Sequence, residues 1–258
     1  MTHAQTNGKL LGPVDPDPVI LTGAPLAAGP LVLLGDHAGR VIPRSLGTMG
    51  LGAEDRHRHI AWDVGIAPLG RLLSEHLKAP FVSQAFSRLV VDCNRDPAEA
   101  EAMPEESDGT AIPANGGLDA AGRAERIRAV HEPYHAAIAA LLDARAAAGV
   151  ATVLVALHSF TPVYGGEARI WDAGVLHGGP GDGYGRQVLA LLQRRGAWVI
   201  GDNQPYAFDA TDHTIPRHAF PRGLQWLEIE LRQDHLAAPE QVEAVAGWLA
   251  PLLLQALD

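Results

Sequence analysis

The stretch Ala151-Thr152-Val153-Leu154-Val155-Ala156-Leu157-His158-Ser159 decides how this chain folds. Its first seven residues are almost wholly apolar and lack the alternation of a half-solvated strand, so they predict a central strand buried on both faces. That strand ends in a histidine and a serine. Just before it, residues 119–148 form a long Ala- and Leu-rich segment of helical period, closed by Gly149 as a stop signal. Upstream, a strand at 31–34 runs into Gly35-Asp36-His37-Ala38-Gly39. A helix is expected at 61–76, a short strand at 81–86, and a turn or second strand at 89–92. Downstream come a helix at 185–195, a strand at 198–201, and a strand at 224–231 with Glu228 and Glu230 on one face. A helix at 239–257, begun by a proline, closes the chain. Short apolar runs alternating with helical segments define an α/β fold. Residues 96–117 are acidic, proline-rich and aperiodic, which reads as a surface excursion. No internal repeat or linker interrupts the pattern, so one domain is expected over residues 1–258, with 1–28 as an N-terminal extension.

With 258 residues, 47% of them hydrophobic, the chain has ample material for one core. Its formal net charge of -10, from 20 basic and 30 acidic residues, argues against a nucleic-acid partner. Any anionic ligand must then rely on locally placed arginines. Cys93 is the only cysteine, which excludes an intrachain disulfide and fits an intracellular compartment. Residues 1–19 lack the basic-then-apolar order of a signal peptide, and no apolar run nears the roughly 20 residues of a membrane span. The expectation is a cytoplasmic protein without a membrane partner; its oligomeric state is left open.

Unusual polar residues fall where strands end. His37, His158, Asp202 and Asp92 each follow a buried-looking strand, and open parallel sheets bind ligands beyond the carboxyl ends of their strands. Two histidines and a carboxylate suit a catalytic zinc, which keeps one position for water and lowers that water's pKa. Glu230 is positioned as a general base if its strand neighbours that of His158. Bland readings compete. With 12 histidines, one beside a strand end is common, and cap or turn roles are the alternative for His37 and His158. His57, His59 and His76 read as solvent-facing or helix-end residues. His131 and His135 lie four apart on one helical face, a spacing that binds metal and also arises by chance. Glu228 reads equally as a solvated strand residue.

Seven segments, in order, resemble the N-formylglutamate amidohydrolase family. They begin at residues 31–43, 58–63 (Arg-His-Ile-Ala-Trp-Asp) and 87–95 (Ser-Arg-Leu-Val-Val-Asp-Cys-Asn-Arg). They continue at 132–135 (Glu-Pro-Tyr-His), 156–159, 201–206 and 229–232. The resemblance implies a three-layer α/β/α fold with a mostly parallel mixed central sheet, as in zinc carboxypeptidases and related amidases. It implies a divalent metal, zinc first, held by His37, Asp63 and His158, with Glu230 as the catalytic glutamate. Asp36 competes with Asp63, which is preferred because it is expected to open a helix after the first ligand loop. Arg88 and Arg95, with Arg232 as a further candidate, are expected to bind substrate carboxylates through their planar forks. An Arg88–Asp92 salt bridge is the alternative for Arg88. Asn94 is expected at the amide, and Tyr134 and Ser159 in the pocket. His135 is placed at the tetrahedral oxyanion, and Asp202, Asn203 and Tyr206 in the pocket wall or behind it.

The expected activity is metal-dependent hydrolysis of the amide bond of an N-acyl amino acid, N-formyl derivatives such as N-formylglutamate included. Two rivals stand beside it: a peptidase or cell-wall-type amidase, and a non-catalytic metabolite-binding protein on the same fold.

Overall fold

The computed structural model describes residues 9–258; residues 1–8, the start of the expected N-terminal extension, lie outside it. Chain order begins with β1 (Val19–Thr22), β2 (Leu31–Gly35), α1 (Ile66–Leu77) and β3 (Phe81–Gln84). A small hairpin of β4 (Glu106–Ser107) and β5 (Thr110–Ala111) precedes α2 (Ala120–Arg126), and a π-turn (Ile127–His131) joins α2 to α3 (Glu132–Ala147). Then come β6 (Val153–Phe160) and a second hairpin, β7 (Val163–Tyr164) with β8 (Glu167–Ala168). The remainder is β9 (Ala173–Leu176), α4 (Gly183–Arg195), β10 (Ile200–Asp202), α5 (Thr214–His218), β11 (Gln225–Arg232) and α6 (Pro239–Gln255).

Seven strands form one mixed sheet in the order β1-β3-β2-β6-β11-β9-β10. The middle four are mutually parallel, β1 is antiparallel to β3, and β9 is antiparallel to β11. β6 lies at the centre with all eight residues buried, as its uniform apolarity requires. Strand alternation divides the core. Leu31, Leu33, Val155, Leu157, Leu227 and Ile229 pack with α1, α4 and α6. Val32, Leu34, Leu154, Ala156 and Trp226 face α3, α5 and the loops between them. The result is the three-layer α/β/α arrangement.

Several expectations shift. The helix expected at 61–76 begins at Ile66, so Asp63 does not open it; Asp63 lies in the preceding turn, and its carbonyl accepts from the Ile66 amide. Gly65 takes a left-handed φ of 84° there, with Leu236 packed where a Cβ would stand, which only glycine tolerates. Within the expected extension, Val19–Thr22 adds an edge strand to the sheet. The excursion at 96–117 is not a solvated loop: Ala102, Met103, Ile112 and Asn115 are buried. Gly149, at φ 68°, ends the long helical segment as expected.

Candidate active site

The carboxyl ends of β2, β6 and β11 meet in the middle of the sheet. Glu230 stands opposite His158 in the β11–β6 register. The period of two that sends Leu154 and Ala156 toward the α3 layer also sends His158 there, and the same parity directs Trp226, then Glu228 and Glu230. Beyond Ala156 and Trp226, strand ends and loops enclose a cavity of about 630 Å³ whose lining includes His37, Asp63, His158, Glu228 and Glu230.

His37, Asp63 and His158 are brought together from three separate segments, each offering one ligand atom, all within 4.8 Å of one another. Asp63 Oδ2 lies 3.0 Å from His158 Nδ1 and 3.5 Å from His37 Nδ1. The Asp63 amide donates to the His37 carbonyl at 2.9 Å, which locks the two loops together. The opposite ring nitrogens are backed by other carboxylates. His37 Nε2–H donates to Asp92 Oδ1 at 2.7 Å, and His158 Nε2 lies 3.5 Å from Asp36 Oδ2, an ion-pair separation. Asp36 thus sits behind the His158 ring, while Asp63 shares the Nδ1 side of both rings. His37 Nδ1 is buried with no hydrogen-bond partner. An orphaned imidazole nitrogen, a second imidazole and a carboxylate, with carboxylates behind both rings, fit a divalent ion of the zinc type.

Electrostatics agree with that geometry. Burial alone would lower the pKa of both histidines, and Arg88 works in the same direction on His37. The carboxylates win: Asp92 and Asp63 raise His37, and Asp36 and Asp63 hold His158 well above the usual value. Burial opposes ionisation of Asp36, but His158 and His37 lower it to about 2. Arg88 and His37 likewise hold Asp92 far below the ordinary range against its burial. Glu230 goes the other way. Burial, aided by the Asp63 charge and opposed by His158, raises it to about 7. Burial and then Asp212 hold Glu228 well above the usual carboxylate range.

Arg88, Asn94, Arg95 and Ser159 line the cavity, as do Tyr206 and Asp92. Arg88 makes the anticipated salt bridge, giving Nε and Nη2 to Asp92 Oδ2 at 2.9 and 2.6 Å. Asn94 Oδ1 accepts from the amides of His213 and Thr214, leaving its Nδ2 side to the cavity. Ser159 donates its hydroxyl to the Val64 carbonyl, and its amide to Asp63.

Five residues expected in the pocket or its wall do not line the cavity. Tyr134 is completely buried in the α3 layer and does not line the cavity. His135 cannot reach an oxyanion: its Nε2–H donates to the Cys93 carbonyl, so Nδ1 is the acceptor for His218 Nε2–H at 2.9 Å. Burial keeps His135 neutral, lowering its pKa to about 2, and lowers His131 to about 4. His131 Nε2–H donates to the Arg95 carbonyl. With His213 this pair forms a second histidine group of metal-binding dimensions, in which His131 and His135 each give one ring N–H to a backbone carbonyl of residues 93–95. Arg232 is tied up by Asp234 and Asp172 at the sheet's edge. Asn203 turns its Oδ1 to the His177 amide, and Asp202 pairs with His177.

Others were not anticipated. His59 is no solvent-facing residue: it lines the cavity with Nε2 3.4 Å from Asp108 Oδ2, and its loop position left no periodicity to reveal it. Glu228 is not solvated but 2% exposed, on the cavity floor. Asp212 and the excursion residues Glu101, Glu106 and Asp108 complete the walls.

The mixed α/β/α sheet carries carboxylates and histidines at its central strand ends, and the family that its sequence matches is one of hydrolases acting on carbon–nitrogen amide bonds. The chain belongs to the N-formylglutamate amidohydrolase family, whose model matches residues 29–237. Among solved structures it is similar to the gene product Atu2144 from Agrobacterium tumefaciens, at 38% identity and a TM-score of 0.92, covering 96% of this chain and 98% of that one. It shares its fold with an N-formylglutamate amidohydrolase from Ralstonia eutropha JMP134, at 21% identity and a TM-score of 0.65, covering 93% and 96%. None of the curated proteins compared with the chain matches it. Among the described residues no helix is long and apolar enough to cross a membrane.

Proposed function

We propose that this protein is a metal-dependent hydrolase of N-acyl amino acids, N-formyl derivatives included, with His37, Asp63 and His158 holding the ion and Glu230 as general base and acid. The observation that carries this reading is the convergence of both Nδ1 atoms on Asp63 Oδ2, with Glu230 in register beside His158. A divalent ion in that donor set, zinc by its nitrogen and oxygen character, supplies Lewis acidity toward an acyl carbonyl and toward water. Asp92 and Asp36 fix the two imidazole rings from behind. Glu230 takes a proton from the attacking water and delivers it to the leaving nitrogen, a task suited to a carboxyl titrating near 7. Arg95 offers a guanidinium fork to the substrate carboxylate, and Asn94 an amide within the same wall.

Purified protein stripped with a chelator and reloaded with zinc, assayed on N-formyl and N-acetyl amino acids and on short peptides, tests the reading. Turnover of the N-acyl amino acids is expected to vanish with the metal and return with it. His158→Ala is expected to lose bound metal and activity together. Full turnover by that variant would exclude the metal-site assignment, and preference for peptides would favour a peptidase.

A further inference from the structure

Glu228 and Asp212 are cavity carboxylates with no part in that reaction. Glu228 is 2% exposed, yet its Oε2 has no hydrogen-bond partner, and it lines the cavity from the same face of β11 as Glu230. Its contact with a potential cation, His158 Nε2, is 3.8 Å long, beyond hydrogen-bond range. Asp212 lines the same cavity from the loop before α5, and after burial it is the largest influence raising the Glu228 carboxyl. A buried carboxylate without a donor is costly, so this arrangement favours a positive partner arriving from outside the protein.

The cations of the cavity point the same way. Nine carboxylates line it against two arginines, and no lysine is among its lining residues. Even a divalent ion leaves such a wall negative. Arg88 is engaged by Asp92 through two donors. Arg169, at the rim, is stacked on Tyr164 and Tyr206, each ring centroid 4.7 Å away, and donates to the Tyr206 hydroxyl. Arg95 gives Nη1 to the carbonyls of Asn94 and Thr211 and has the rest of its fork for one carboxylate. A second substrate carboxylate would meet Glu228, Asp212 or the acidic excursion.

We propose that Glu228 and Asp212 form a subsite for a cationic group, an ammonium or guanidinium on the substrate's side chain. The substrate class is then an Nα-acyl basic amino acid, its single carboxylate at Arg95, in place of a dicarboxylate. This rests on the amide-hydrolase reading given above for the chemistry, but not for the binding.

The zinc-loaded protein is assayed on Nα-formyl-lysine, N-formylnorleucine and N-formylglutamate, and binding of free lysine, norleucine and glutamate is measured by calorimetry. Lysine and norleucine differ in the terminal ammonium, so their ratio isolates the subsite. The expected kcat/KM is at least about tenfold higher for the lysine derivative than for norleucine, and lowest for glutamate, with the same order in binding. Glu228→Gln is expected to bring the lysine-to-norleucine ratio toward one, and Asp212→Asn, on a loop, carries the same test should the first variant not fold. Glutamate turned over as well as lysine, or a ratio unchanged in both variants, overturns the cationic subsite and leaves the hydrolase standing. Lysine binding that depends on Glu228, without turnover of any N-formyl amino acid, overturns the hydrolase and leaves the subsite standing. Neither turnover nor lysine preference overturns both.

Discussion

At the scale of single residues, Glu230 shows how one strand position acquires its chemistry. Its neighbour in sequence, Ile229, points into the apolar layer of α1, α4 and α6, while Glu230 turns toward the cavity beside His158. Burial there is the largest influence on its carboxyl group and raises it to about 7. A base works only when deprotonated, so kcat/KM is expected to rise with pH along an acidic limb. The midpoint should lie at or below about 7, because a bound divalent ion favours the carboxylate. A pH–rate profile of the zinc-loaded protein checks this. Glu230→Gln is expected to lower kcat by about 10²–10⁴-fold with metal content retained; a variant with near-normal kcat would remove Glu230 from proton transfer.

At the scale of elements, the segment at 96–117 is the one whose composition misleads. Acidic and proline-rich, it nevertheless packs as a wall because a buried side chain anchors it. Asn115 donates to the Leu89 and Pro104 carbonyls, and Arg126 on α2 donates to Asn115 Oδ1 and to the carbonyls of Val90 and Ala114. These bonds join the excursion to the turn that carries Arg88 and Asp92. Asn115→Ala removes three of them and leaves buried acceptors unpaired, at a cost of about 1–3 kcal/mol. Urea unfolding should register that loss, and kinetics should show KM rising more than kcat falls, since the wall binds substrate but does not carry the proton. An unchanged KM would mean that the wall is held by other contacts.

For the whole molecule, the three proposed ligands join the loop after β2, the turn before α1 and the end of β6. An ion there ties together segments distant in sequence and binds the folded state alone. At a free zinc concentration of 100 times Kd, the stabilisation is about 2.7 kcal/mol, or roughly 5–10 °C in Tm for a chain of this size. The increment should be larger at pH 8 than at pH 6. Surrounding carboxylates raise the pKa of His37 and His158, and both must lose a proton to ligate, so acid competes with the ion. Thermal melts of the stripped protein with and without zinc at both pH values provide the measurement; equal melts would argue against an ion at this position.

What the sequence determined by itself was local and periodic. Uniform apolarity from Val153 to Leu157 identified the central strand, Gly149 ended the long helix, and alternation along β11 put Glu228 and Glu230 on one face. Motif resemblance brought His37, Asp63, His158 and Glu230 into one expected site, and the cavity does contain all four. Only the tertiary structure decided what depends on contacts between distant segments. Asp36 competes with Asp63 in the sequence, where Asp63 is preferred on a helix start that the fold does not have; in the structure Asp63 lies on the Nδ1 side of both rings and Asp36 behind His158. His135 and Arg232 match their motifs, yet a backbone carbonyl and two aspartates hold them out of the cavity. Glu228 and His59 became part of its lining through packing that no spacing encodes. Periodicity reports which face a side chain occupies. Partners, burial and the pKa that follows from them arise only when remote segments meet.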